Sequence, residues 1–356
     1  MKRKAAALFL ALTMAVVSIA GCGSREEAKK GQKEVIQEEQ ETAEKAKSES
    51  EENSEPVDMN ITALKGPTAM GMVQFMDQAE QGALTDENYH FSISASADEV
   101  TPKLVQGKTD VAAVPANLAS VLYNKTNGQV QVLAVNTLGV LYLVENGNSV
   151  QSAADLKGKT IYASGKGSTP EYALDYILRQ NNIDPEKDVT IEWKSEHSEC
   201  VAAILTGENS IAMLPQPFVT TVQTKNPSIR IALDLTEEWE KVQEKEEKKS
   251  SMITGVVVVR TDFVKENPEA VEHFLEHYED SVEYVNGNTE EAAQLVGKYD
   301  IVPPQIAQKA LPECNIVYID GEDMKEQLSG YLEVLKNQNP QAVGGVVPQD
   351  DFYYTE

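Results

Sequence analysis

From Val57 onward the spacing of apolar residues alternates between a period of two and a period near 3.6. Ile61–Leu64, Tyr89–Ser94, Thr109–Val114 and the long run Val130–Val144 read as strands, and Met70–Gln81, Asp98–Gln106 and Ala116–Tyr123 between them as helices. Asn136, Thr137 and Gly139 interrupt the long run, which is therefore two strands, the second leaving the first lobe. The pattern resumes with a strand from Thr160 and a helical stripe of Ala173, Leu174, Ile177 and Leu178. Val189–Trp193, a helix over Glu199–Thr206, Ser210–Leu214 and Ile229–Leu235 follow. Glu237–Ser250 is dense in Glu and Lys and is expected to be a solvated face or loop. In Ser251–Arg260 four consecutive valines suit a buried strand, placed here as the return crossing to the first lobe. Helices over Asn267–Asn286, Thr289–Tyr299, Pro304–Ala310 and Met324–Lys336 complete the chain. Strands alternating with helices imply βαβ units, so the expected fold is α/β, with mainly parallel sheets in two lobes joined by a two-strand hinge. Lobe one takes 57–146 and 251–356, and lobe two takes 147–250.

The stretch Thr160–Leu178 is the most informative. Gly165 and Gly167 permit backbone angles closed to other residues and a close ligand approach. Ser168 and Glu171 have the spacing of a capping box, and Pro170 falls in the first helical turn. The result is a helix N-terminus at the end of a strand, where free N–H groups and the macrodipole favour an anion or polar oxygen. Lys65-Gly-Pro-Thr68 repeats that arrangement after the first strand. A turn of this kind often does no more than reverse the chain, and the order Gly165-Lys166-Gly167-Ser168 lacks the phosphate-loop spacing.

Charge and the N-terminus narrow the setting. The 356 residues carry a net charge of −26, with no basic patch for nucleic acid. Lys2, Arg3 and Lys4 precede an apolar run, Ala5–Ile19, too short to span a membrane comfortably, so residues 1–21 read as a signal peptide. Ile19-Ala-Gly-Cys22 resembles the bacterial lipobox, which implies lipidation of Cys22 and anchoring at the extracytoplasmic face of the cell membrane. Residues 22–56 are nearly devoid of large apolar side chains and read as a disordered tether with a coil span of about 30 Å.

The lipobox, Asp110–Ser120, Leu156–Leu174, Ile211–Val219 and Val256–Leu275, in that order, resemble the substrate-binding lipoproteins of ABC importers. Within that group the chain is most similar to the nitrate/sulfonate/bicarbonate receptors, related to the thiamine-pyrimidine-synthase-like fold. The resemblance covers about 57–340. It implies a type II-like periplasmic-binding-protein fold, no catalytic residues and no cofactor. It also implies a monomer that captures a small polar or anionic organic solute, sulfonate-, nitrate- or thiamine-precursor-like, and delivers it to an ABC permease and its ATPase. Carried over, the ligand-binding residues are Gly66, Pro67, Thr68 and Ala69 after the first strand, and Pro115, Ala116 and Asn117 after the third. Lobe two adds Gly165, Lys166, Gly167, Ser168 and Thr169, and Gln216 between Pro215 and Pro217. Many relatives carry an acidic residue where Gln216 stands.

Other classes find less support. His273 and His277 lie four apart but without the H-E-x-x-H order and among Glu272, Glu276 and Glu279, so a solvated helix face is expected rather than a metal site. Cys200 and Cys314 fall in different lobes without motifs and read as free, buried thiols. Tyr142, Tyr172 and Trp193 are candidates for stacking a flat ring, and equally plain core or surface aromatics. A sensory or other non-transport lipoprotein on the same fold is the alternative, since fold does not fix function.

Overall fold

The hydrophobic runs assemble into two sheets, one of which draws strands from both ends of the chain. The computed structural model describes residues 56–245 and 250–355; the signal segment, Cys22 and all of the tether but Pro56 lie outside them. β1 (Asp58–Leu64), β2 (Asn88–Ser94), β3 (Val111–Pro115), β4 (Val130–Leu138), β10 (Ile253–Arg260) and β11 (Ile316–Ile319) form a six-stranded sheet of order β11-β4-β10-β3-β1-β2. β5 (Leu141–Glu145), β6 (Thr160–Ser164), β7 (Thr190–Lys194), β8 (Ile211–Pro215) and β9 (Arg230–Asp234) form a five-stranded sheet of order β7-β6-β8-β5-β9.

Within each sheet two kinds of strand separate. β2, β1 and β3 run parallel, as do β7, β6 and β8, because the intervening helices carry the chain back to the same end. β10 is antiparallel to β3 and β4, and β5 to β8 and β9; these are the strands that arrive from the other sheet. β5 pairs wholly within the second sheet, so that sheet begins at Leu141, ahead of the boundary expected after residue 146.

The helices follow the apolar stripes. They are α1 (Pro67–Met70), α2 (Val73–Glu80), α3 (Ala97–Val105), α4 (Ala116–Thr126), α5 (Thr169–Gln180), α6 (His197–Thr206) and α7 (Phe218–Lys225). α8 (Leu235–Gln243), α9 (Thr261–Glu266), α10 (Pro268–Gly287), α11 (Thr289–Lys298), α12 (Pro304–Ala310) and α13 (Gly321–Gln338) follow. The single helix expected over Met70–Gln81 is split at Gly71, which closes α1 and packs against Ile316 and Val282. The charged run Glu237–Ser250 needs correction too: it is helical through Gln243, and Leu235, Trp239 and Val242 recur at helical spacing and are buried. α7, α9 and β11 had no counterpart in the sequence pattern.

Val256 and Val258 on β10 face one core while Val257 and Val259 face another, as alternation on a strand buried on both sides requires. The first of these cores is continuous across the lobes. It joins Ala112 and Val114 of the first sheet to Leu143 and Ile161 of the second through Leu328, Tyr331, Leu332 and Leu335 of α13. Trp239 packs between Tyr176 and Tyr331, with ring centroids 4.6 and 5.3 Å away, and its indole N–H donates to the Ser250 carbonyl at 3.0 Å. Burying each such side chain stabilises by roughly 1.5–3 kcal/mol, so the two lobes share one folding unit on this side.

Candidate functional site

Parallel strands deliver the N-termini of their following helices to one edge, and here α4 follows β3, α5 follows β6, α6 follows β7 and α7 follows β8. Lobe one and lobe two meet along that edge. Asn117, in the first turn of α4 and fully buried, is one point of contact. Its Nδ2 donates to the Gly167 carbonyl at 3.4 Å and to the Ala342 carbonyl at 3.0 Å, while its Oδ1 accepts from the Thr169 hydroxyl at 3.3 Å.

The lobe-two turn reaches this position through its glycines. Gly165 (φ +84°) and Gly167 (φ +78°) are in the left-handed region, and a β-carbon at Gly167 would meet open space. The capping box expected of Ser168 and Glu171 does not form. Ser168 Oγ instead donates to the Gly165 carbonyl at 2.8 Å, and Glu171 Oε2 accepts from the Gly167 N–H at 2.5 Å. Positive φ at two glycines curls the turn back on itself, so Glu171 accepts from the N–H one residue before the cap and Ser168 donates back to a carbonyl three residues earlier. A capping box does form at Ser152 and Asp155, where none was expected.

Of the other expected residues, Pro115 and Ala116 precede Asn117, the first half-buried and the second buried, and Lys166 is exposed, as is Lys65. Gly66, Pro67 and Ala69 are buried in the α1 turn and make no hydrogen bond to lobe two; Thr68 turns its hydroxyl to the Leu64 carbonyl at 2.8 Å. Gln216, almost fully buried, caps the start of α7: its Oε1 accepts from Thr220 N–H at 3.2 Å and Thr220 Oγ1 at 2.9 Å. Tyr142 is buried in the lobe-two core, and Tyr172 and Trp193 pack against the shared core. His273 and His277 are not on a solvated face. His277 Nε2 bonds Asp86 at 2.5 Å and packs on Phe75, and His273 Nδ1 bonds Glu87 at 3.1 Å, because the 86–87 loop folds over that side of α10. Cys200 and Cys314 are free and buried.

The structure adds residues that sequence reasoning missed. Ser164, the last residue of β6, bonds His197 Nδ1 at 2.6 Å, and the His197 ring lies 5.1 Å from that of Phe218. His197 therefore stands between the Gly165–Thr169 turn and the Gln216 turn. Burial pushes its imidazole down to about 4, so the ring is neutral near pH 7. Burial pushes the Cys200 thiol up to about 11, against a smaller lowering by the nearby Ser164. The neutral ring pairs with Ser164 through Nδ1, in a bond where either atom can be the donor, and Nε2 makes no hydrogen bond to the described residues. On the lobe-one side Gly255 lets Thr68, Asn136 and Thr137 close together: a β-carbon there would lie 2.5 Å from Asn136 Oδ1 and 2.7 Å from Thr68 Cγ2. The spacing of His197 from the glycine turn carries no local motif, and only the adjacency of β6 and β7 reveals it. The side-chain hydroxyls and the Asn117 amide here are bonded within the protein, and what this edge offers a polar oxygen is the backbone N–H groups of helix N-termini. Among the described residues no His, Cys, Asp and Glu side chains are grouped to hold a metal ion, and no helix is long and apolar enough to cross a membrane.

Residues 83–290 match the family model described as ABC transporter, phosphonate, periplasmic substrate-binding protein. A putative binding protein of Brucella abortus is 23% identical over 178 residues, 50% of this chain and 52% of the relative, so the chain spans about half the length of the curated relatives it matches. Among solved structures, an ABC transporter from Parabacteroides distasonis superposes with a TM-score of 0.67 at 20% identity, covering 85% of this chain and 100% of that one. The periplasmic aliphatic sulphonate binding protein SsuA of Escherichia coli superposes with a TM-score of 0.65 at 13% identity, covering 85% and 94%. At these identities the structures establish the shared two-lobed fold.

Proposed function

Since the chain belongs to the phosphonate-binding family of ABC-transporter periplasmic substrate-binding proteins, we propose that it captures a small oxyanion-bearing organic solute between its lobes and hands it to a permease and its ATPase. The observation that carries this reading is the convergence of two strand-turn-helix units on Asn117, which joins the first turn of α4 to the glycine turn before α5. Gly165–Thr169, Pro115–Asn117, Gly66–Ala69 and Gln216 form the binding surface, with the neutral His197 ring as an additional polar group. A phosphonate or sulfonate group suits this surface, because its charge is favoured at helix N-termini and its oxygens can accept from their backbone N–H groups. The lipobox supports anchoring through Cys22, with the acidic tether holding the receptor near the outer surface of the membrane.

The test is titration of the protein, stripped of co-purified solute, with methylphosphonate, short alkanesulfonates, nitrate and thiamine-pathway pyrimidines. Saturable binding of one class is expected. Ser168→Asp keeps a good N-cap residue, so the fold should hold while a carboxylate repels an anion from the turn. Gly167→Val forces a β-branched residue into the left-handed region. Both variants should lose binding, and wild-type affinity in both would overturn the site. For the anchor, Cys22→Ala should move the protein out of the membrane fraction and abolish labelling by a fatty-acid probe; unchanged labelling would refute lipidation at Cys22.

A further inference from the structure

A cavity of about 640 Å3 opens beside Gln216, walled by β5 and α7 of lobe two and closed from the lobe-one side by Lys309 and Glu313. It bridges the lobes, and Tyr142 Oη reaches across to donate to the Glu313 carbonyl at 3.5 Å. The orientation of the Gln216 amide is fixed by chemistry: the Thr220 N–H can only donate, so the atom facing it is Oε1. Nε2 is thereby turned away from the Thr220 N–H and makes no hydrogen bond to the described residues, and Gln216 is 3% exposed. The cavity, which Gln216 lines, so acquires one neutral donor not used by the described residues.

Charge around the cavity is balanced rather than absent. Lys309 and Glu313 are both exposed and of opposite sign. The Tyr142 phenol is pushed up by burial first, then by Asp234, Glu313 and, more weakly, Glu237. These acids oppose an anionic group in the cavity. An ammonium group would face the positive end of the Gln216 amide dipole and the Lys309 ammonium. Lys309 can face a carboxylate and Glu313 an ammonium, but both are exposed, and such solvent-screened pairs offset little of the cost of desolvating an ion. A neutral carbonyl or hydroxyl meets the Gln216 Nε2–H without that penalty.

We infer that this cavity receives the distal end of the bound solute, and that it selects an uncharged, hydrogen-bond-accepting group such as a carboxamide or hydroxyl, with Gln216 Nε2 as its donor. The inference rests on the reading of the cleft as a receptor for an oxyanion head group. It narrows the solute to one with an anionic head and a neutral polar tail.

Calorimetric titration of the full chain decides the matter, using alkylphosphonates of one chain length that end in methyl, carboxamide, ammonium or carboxylate. The carboxamide should bind about tenfold tighter than the other three. Gln216→Glu keeps an acceptor for Thr220 while adding charge, and should bring the ammonium compound ahead of the carboxamide. Ammonium or carboxylate binding level with carboxamide in the wild type overturns the inference, as does an unchanged ranking in a Gln216→Glu protein of normal melting temperature. If Gln216→Glu does not fold, the wild-type series decides alone. Binding of the methyl compound with no effect of the tail removes the inference and leaves the receptor reading standing. Failure of every compound, methyl included, removes the head-group reading and the inference together.

Discussion

Replacing Asn117 perturbs the one side chain that holds three parts of the chain together. Asn117→Ala deletes a good hydrogen bond to Ala342 and two longer ones to Gly167 and Thr169, in a position with no solvent exposure. The Ala342 carbonyl and the Thr169 hydroxyl lose their partner in a buried setting, and each such loss costs about 1–3 kcal/mol. Partial recovery by water entering the small cavity lowers the sum, so a net loss of roughly 2–4 kcal/mol is expected. For a protein of this size that is a fall in Tm of about 3–6 °C. Asn117→Asp should be worse than alanine at neutral pH. Its carboxylate can still accept from Thr169 but faces the Gly167 and Ala342 carbonyls, an arrangement that raises the carboxyl pKa. A raised pKa means that the folded protein binds the proton more tightly, so the aspartate variant should recover as pH falls below about 5, where alanine does not. Thermal unfolding followed by circular dichroism at several pH values reads all of this. An alanine variant within about 0.5 kcal/mol of wild type, or an aspartate variant more stable than alanine at pH 7, would refute the interlobe bonding described here.

Two further substitutions test the electrostatics. Burial, followed by the charge of Glu171, pushes the Asp175 carboxyl up to about 6 from 3.8, so the folded state holds that proton more tightly and stability falls as pH rises through this interval. Asp175→Asn should flatten that dependence and gain on the order of 1–2 kcal/mol at pH 7, read as denaturant midpoint against pH; an unchanged slope would count against the burial of this group. Glu145, with no exposed side-chain area, accepts from Arg230 at 2.6 Å, from Ser149 N–H and Oγ, and from Val150 N–H. Arg230→Met leaves that carboxylate uncompensated and should cost about 3 kcal/mol by urea unfolding, with Glu145→Gln added to it restoring part of the loss; equal single and double losses would contradict the pairing.

The elements that the sequence shows well are those whose pattern is local. Val256–Val259 reads as a strand buried on both faces because the valines need no knowledge of their neighbours, and β10 indeed has a core on each side. The break at Asn136–Gly139 likewise marks the crossing between the sheets, since Gly139 sits where a β-carbon would lie 2.2 Å from Thr236 Oγ1 and 2.8 Å from Met252 Cε. Trp239 was hidden by its context: in a segment dominated by Glu and Lys, one buried face of a helix is outvoted by its charged faces, and only its packing between Tyr176 and Tyr331 gives it away.

The site divides along the same line. Gly165 and Gly167 are legible because their left-handed backbone is a property of the residues themselves. The use of Ser168 and Glu171 was not, because a capping box presumes that the preceding residue is extended, and here two left-handed glycines shift both partners back along the turn. Asn117 was legible as the first turn of a helix after a strand, yet its strongest partner is the Ala342 carbonyl, supplied by a segment 225 residues downstream. That segment is held by the rest of α4: Ser120 donates to the Val343 carbonyl, and Asn124 to the carbonyls of Val343 and Val346. No periodicity encodes this, because the α4 face that it covers is polar and reads as solvent-facing. Polar residues along one helix face are therefore ambiguous in a sequence: they mark water when nothing packs there, and a bound backbone when a later stretch brings carbonyls within reach. For α4 the second case holds, and it places the C-terminal segment against the same asparagine that joins the lobes.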